Sequence, residues 1–276
     1  MPRETPPRLR TVGLETEALA PDGPVPASAL TGAAMGTTAK PVTKVAAVVG
    51  AGPGLGTALA WRFAREGYTV GLFARSEEPL RHVQHRVQEA GGCASLYPTD
   101  ATDAGAVRES FARLREEHGA PEVCIYNAGL FRMAGFLETS PEDFDTSWRI
   151  NCLGGVLCAR EVLPAMLEQG RGTLLFTGAT ASLRGGARSA GFATAKSGLR
   201  ALAQSLAREF GPRGIHVAHV IIDGVIDTAR SRARGALERA ELLSPDAIAE
   251  TYWQLHRQDP SAWTQELDVR PAPEKF

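Results

Sequence analysis

The stretch "KVAAVVGAGPGLGTALA", residues 44–60, decides how the fold is read. Its opening run is apolar and rich in valine, with no alternation, which is the pattern of a strand buried on both faces. Four glycines follow in seven positions (Gly50, Gly52, Gly54 and Gly56), and then a run of helix formers. Strand, glycine turn and helix in that order form a phosphate cradle. Glycine permits positive φ, and the helix N-terminus presents backbone N–H groups to an anion.

The same alternation continues outward. Strands are expected at 68–74, 93–98, 122–127, 172–178 and 215–222, with helices at 77–90, 102–118, 142–169 and 188–210. Residues 225–276 read as two helices and a final strand near 263–269. Apolar strands separated by helices imply an α/β fold: a doubly wound parallel sheet of Rossmann type, in three α/β/α layers. Ligands are then expected at the carboxyl ends of the strands. One domain is expected over 43–276. The proline-rich segment 1–42 has no apolar signal region and is expected to be a disordered extension. Initiation at Met35 is the alternative.

Composition narrows the partners. The formal net charge of -1 favours neither nucleic acid nor an anionic membrane, so a small-molecule substrate is expected. No apolar run approaches the ~18 residues a membrane span needs, and a cytoplasmic protein is expected. The four cysteines show no metal-ligand spacing and read as buried free thiols of a reducing compartment. His216 and His219 fall on opposite faces of a strand and cannot share a metal.

The end of the second strand selects the nucleotide. A carboxylate there would accept the ribose 2′-hydroxyl of NAD(H), but the chain has Ala74, Arg75 and Ser76. A guanidinium pairs instead with a 2′-phosphate. NADP(H) is therefore expected ahead of NAD(H).

Further along, "TDATD" (99–103), "YNAG" (126–129), "WRINCLGG" (148–155), "GFATAKSGLRAL" (191–202) and "DGVIDT" (223–228) follow in order. With the glycine turn, this series resembles the short-chain dehydrogenase/reductase family over essentially all of 44–228. The resemblance implies an oxidoreductase that holds the nucleotide through Gly50, Gly52, Gly54, Leu55 and Gly56, with Arg75 and Ser76 at the 2′ position. It places Asp100 and Ala101 by the adenine, Asn127, Ala128 and Gly129 along the nucleotide, and Ile226 and Thr228 at the carboxamide. Lys196 would hold the nicotinamide ribose, and Asn151 would join a proton relay. A homodimer or homotetramer is implied, through helices 142–169 and 188–210, with Gly154 and Gly155 permitting close helix approach.

Two of the family's chemical groups are missing. The tyrosine four residues before the lysine is here Phe192, and the serine thirteen before that is Ala179. Neither a phenyl ring nor a methyl group can transfer a proton or hydrogen-bond a carbonyl. Thr180, Ser182 and Asp223 are candidate surrogates. Thr180 follows the serine position, and Asp223 stands where the family has proline. Three functions remain open at this point: an oxidoreductase with an atypical site, a non-catalytic NADP-binding module, or a non-redox activity in the same pocket. Arg230, Arg232, Arg234 and Arg239 read either as a solvated helix face or as an attractor for a substrate anion.

Overall fold

The structure is a computed structural model, and it describes residues 44–233 and 242–273. The expectation for 1–42 lies outside these residues, as do Arg234 and Arg239. Seven parallel strands form the main sheet: β1 (Val45–Val49), β2 (Thr69–Ala74), β3 (Cys93–Pro98), β4 (Val123–Tyr126), β5 (Gly172–Thr177), β6 (Ile215–Ile222) and β9 (Glu266–Val269). Their order is β3-β2-β1-β4-β5-β6-β9. The Rossmann-type expectation is met.

The sheet is buried on both sides because its strands carry apolar residues at consecutive positions. Ala46 and Val48 of β1 pack with α1 (Leu55–Ala64), α2 (Glu77–Glu89) and α8 (Pro245–His256). Val45, Ala47 and Val49 pack the other way, with α3 (Ala104–His118), α5 (Gly154–Gln169) and α6 (Ala190–Phe210). In register, Ala47 lies opposite Gly71 of β2 on one side and Cys124 of β4 on the other. The chain order reverses there, so the crevice for a ligand opens above β1. A short helix, α7 (Ala229–Ala233), and a two-stranded pair, β7 (Val225–Ile226) with β8 (Leu242–Leu243), lie beyond β6.

Four expectations change. The helix expected at 142–169 runs from Pro141 to Gln169 but is interrupted by a π-helical stretch, Arg149–Leu153, between α4 (Pro141–Trp148) and α5. Those 29 residues are long and apolar enough to cross a membrane, contrary to the reading of the sequence. Half of the window that meets this test is buried inside the fold, as in a core helix. Cys93 is exposed, whereas Cys124, Cys152 and Cys158 are buried and free as expected. Gly154 and Gly155 face inward. A Cβ on Gly154 would lie 2.2 Å from the Tyr126 hydroxyl, and one on Gly155 would lie 2.8 Å from Leu199. They serve packing within this chain, not the approach of a partner's helix.

Candidate active site and cofactor cleft

The glycine turn has the backbone its sequence requires. Gly50 has φ +89° and Gly54 φ +100°. A Cβ on Gly56 would lie 2.4 Å from the Gly50 carbonyl oxygen, so helix and turn meet only because position 56 is bare. Gly54 precedes α1 without any side-chain cap, and the first turn of α1 holds no acidic residue. The helix N-terminus is thus left for an anion from outside. Around Gly52 no atom comes within 4 Å of an added Cβ. These features fit a dinucleotide pyrophosphate.

Two clefts adjoin at this turn. The smaller, about 250 Å³, is lined by Gly50, Gly52, Arg75, Asp100, Ala101, Asn127, Ala128 and Gly129, among others. Arg75 is exposed at its rim, just after β2. The Asp100 carboxylate accepts from the backbone and hydroxyl of Thr102, which holds the loop after β3. The larger cleft, about 710 Å³, starts at Gly50, Gly52, Leu55 and Gly56 and reaches Lys196, Phe192, Ala179, Thr180, Ile226 and Thr228. Gly54 lines a neighbouring hollow with Thr228 and Arg230. Ser76, Asn151 and Asp223 line neither of the two clefts.

Lys196 sits where α6 passes β5. Its side chain is 4 % exposed, and Nζ donates to the Thr177 carbonyl at 2.8 Å. Burial pulls its pKa from near 10.5 down to about 8, since a desolvated ammonium is disfavoured. One turn earlier, the Phe192 ring centroid lies 5.8 Å from Nζ. Phe131 packs edge-on against Phe192, with ring centroids 5.1 Å apart. An aromatic pair therefore stands where a phenol would be.

Asn151 lies in the π-helical stretch and is fully buried. Its Nδ2 donates to the carbonyls of Leu130 (3.0 Å) and Ser147 (2.9 Å), and its Oδ1 accepts from the Leu130 N–H at 3.0 Å. The Tyr126 hydroxyl donates to the Ile150 carbonyl at 2.5 Å. Two helix carbonyls thus find side-chain partners, which accounts for the π turn at this point. Burial pushes the Tyr126 phenol well above 10, so it remains a donor and takes no part in proton transfer near neutral pH. A Cβ on Gly129 would be 3.3 Å from Asn151 Oδ1 and 3.7 Å from Lys196 Nζ. Bare backbone at 129 lets the two side chains converge.

The three surrogate candidates have different neighbours. Ser182 is buried, accepts from the Ala179 N–H and contacts His219, so it braces a turn. Thr180 and Asp223 meet: the Thr180 hydroxyl donates to Asp223 Oδ1 at 2.5 Å, and Arg270 lies 3.3 Å from Oδ2. Sequence reading named both residues but could not pair them across 43 positions. It missed Thr177, whose hydroxyl lies 3.2 Å from Asn127 Oδ1 and 2.7 Å from the Tyr252 hydroxyl. It also missed Phe131 and Met133 of the cleft wall. Their signal was the apolar residues Leu130, Phe131 and Met133 soon after "YNAG", broken only by Arg132. Arg232 pairs with Asp227 at 3.2 Å, and Arg230 lines the neighbouring hollow. The two histidines separate as expected: His216 stacks on Trp263, and His219 faces Ser182 and Glu266.

Comparison with known proteins agrees with this geometry. A family model described as short chain dehydrogenase matches residues 44–239. The chain is 28% identical over 228 residues to an uncharacterized oxidoreductase of Staphylococcus aureus strain USA300, covering 83% of this chain and 97% of that protein. The crystal structure of a short-chain dehydrogenase from Rhodopseudomonas palustris is similar at 39% identity and TM-score 0.73, over 84% of this chain and 100% of that one. A metagenomic short-chain oxidoreductase solved in complex with NADP is similar at 29% identity and TM-score 0.73, over 84% of this chain and 99% of that one.

Proposed function

The chain belongs to the short-chain dehydrogenase/reductase family, and from that premise we propose that it is an NADP(H)-dependent oxidoreductase acting on a small molecule through an atypical active site. The observation that carries this reading is the continuity of one cleft from the glycine turn to Lys196 and Phe192. A reduced nicotinamide bound there supplies hydride. The uncapped N-terminus of α1 holds the pyrophosphate, Asp100 and Ala101 flank the adenine, and Ile226 and Thr228 face the carboxamide. Lys196 keeps N–H groups available for the ribose beyond the one given to Thr177. Asn151 has both ends of its amide engaged by backbone, so its part is to hold Leu130 and the cleft wall.

NADP(H) is preferred over NAD(H) because the end of β2 carries Arg75 and no acid at positions 74–76, and the similar metagenomic protein was solved with NADP. A fluorescence titration with NADPH and NADH tests this. Arg75→Ala should weaken NADPH binding by about 10- to 150-fold and leave NADH binding unchanged, since a charge-assisted hydrogen bond contributes roughly 1.5–3 kcal/mol. Equal loss for both nucleotides would remove Arg75 from the 2′ position.

The same titration run against pH reads Lys196. Below about 8 the side chain is an ammonium and donates to the ribose; above it, binding must first take up a proton. NADPH affinity should hold up to pH 8 and decline beyond it, by up to about tenfold per unit for one linked proton. Lys196→Met should bind more weakly and lose the dependence.

A further inference from the structure

The pocket end of the cleft offers acceptors and aromatic surface where a carbonyl reductase offers hydroxyl donors. Among the described lining residues, the Thr180 hydroxyl proton goes to Asp223, and the Ser189 hydroxyl donates to the Gly186 carbonyl at 2.9 Å. The Thr177 hydroxyl is engaged with Asn127 and Tyr252. Nothing stands at Ala179 or Phe192 to donate. Besides the Lys196 ammonium, which the ribose engages, the side-chain atom left for a bound group is the Thr180 oxygen, whose lone pairs are free to accept. Behind it, the Asp223 carboxylate is fixed on its far side by Arg270. The rings of Phe131 and Phe192 and the side chain of Met133 line the same cleft. A hydrogen-bond acceptor backed by a carboxylate, in a cleft that aromatic rings also line, suits a cation carrying N–H.

We propose that this protein reduces a cationic C=N group, an iminium, with Thr180 accepting the N–H hydrogen bond of the substrate and Asp223 holding the Thr180 hydroxyl in that orientation. The proposal rests on the reading of the chain as a reductase using reduced nicotinamide. In the reaction, hydride forms a new C–H bond at the iminium carbon while the C=N π pair becomes the nitrogen lone pair. The nicotinamide is oxidised, the iminium is reduced to a neutral amine, and no proton is transferred by the protein. The absent tyrosine and serine are then not a defect. A neutral ketone would leave an alkoxide, and neither Ala179 nor Phe192 offers a hydroxyl to protonate it. Thr180 touches the substrate, and Asp223 is a positioning residue acting through it. Lys196, the ammonium lining the same cleft with Nζ 5.8 Å from the Phe192 ring centroid, is engaged by the ribose in this arrangement.

The test uses the full chain, first titrated with NADPH, and two bicyclic substrates of one size: 3,4-dihydroisoquinoline, protonated at pH 6, and 1-tetralone. The expected result is NADPH oxidation at least 100-fold faster with the iminium. A second readout is binding alone. In the presence of NADP, calorimetry should show 1,2,3,4-tetrahydroisoquinolinium binding at least tenfold more tightly than 1-tetralol. Thr180→Val should abolish that difference with NADPH affinity intact, and Thr180→Ser should restore it. Asp223→Asn should weaken amine binding in the same direction. Preference for tetralone, equal binding of amine and alcohol, or an unchanged amine affinity in Thr180→Val would each overturn the inference, even if NADPH binds. Failure to bind NADPH at all would overturn the reductase reading beneath it.

Discussion

Phe192→Tyr combined with Ala179→Ser is expected to raise NADPH-dependent reduction of a simple ketone by about 10²–10⁴-fold, the range that general acid–base catalysis supplies. The Phe192 ring lies one helical turn from Lys196, and Nζ is 5.8 Å from its centroid. A hydroxyl added at the ring's far end would gain a neighbouring ammonium, which stabilises phenolate and lowers the phenol's pKa. Ala179 lines the same cleft, beside Thr180, so a serine there adds a donor for the carbonyl oxygen. Phe131 packs nearly at right angles to the ring, with centroids 5.1 Å apart, and is itself exposed, so it can give way to an added hydroxyl. The measurement is kcat/KM for 1-tetralone with saturating NADPH, in the parent, both single variants and the double. Turnover of protonated 3,4-dihydroisoquinoline at pH 6 should change little, because its reduction needs no acid. If ketone reduction does not rise while NADPH still binds, the cofactor is not held in a reactive pose, and a non-catalytic binding module becomes the better reading.

The second large effect separates folding from binding within one turn. Gly50→Ala should destabilise the domain by about 3 kcal/mol or more, or roughly 6–12 °C in Tm for a domain of this size. Its φ of +89° disfavours any Cβ, and that Cβ would lie 2.5 Å from the Ala128 nitrogen and 2.8 Å from the Asn127 carbonyl carbon. These are backbone atoms of the loop after β4, which cannot swing aside as a side chain can. Gly52→Ala should behave in the opposite way. Nothing lies within 4 Å of its added methyl group, so Tm should stay within about 2 °C. Yet Gly52 lines both clefts, and the methyl would project where the pyrophosphate is proposed to lie. NADPH affinity should fall at least about tenfold, as when backbone N–H groups are held away from phosphate oxygens. Thermal melts and the fluorescence titration, run on both variants, read the two effects independently. A Gly52→Ala protein that binds NADPH normally would move the pyrophosphate away from this turn.

The sheet was legible because burial on both faces leaves a blunt signature. Six strands of the main sheet fall within one or two residues of the apolar runs, and β9 lies inside the stretch read near 263–269. The helix breaks were less legible. The π-helical stretch at Arg149–Leu153 depends on the Tyr126 hydroxyl reaching the Ile150 carbonyl from another element, and no local pattern encodes that contact. The inward glycines at 154 and 155 failed for the same reason. A small residue on a helix announces close approach, but not of what. Here the neighbours are Tyr126 and Leu199 of the same chain.

Sequence alone determined the fold class, the family, the glycine turn and the absence of a tyrosine and a serine at positions 192 and 179. All of these are statements about which residue types occur at which spacing, and residue type already carries their physics: a valine run must be buried, a phenyl ring cannot give a proton. Only the tertiary structure decided what fills the gap. It joined Thr180 to Asp223 and Asp223 to Arg270, set Phe131 on Phe192, and turned the Asn151 amide onto Leu130. A hydroxyl is donor or acceptor according to the partner that holds its proton. That partner stands 43 residues away, on a strand end brought near only by the winding of the sheet.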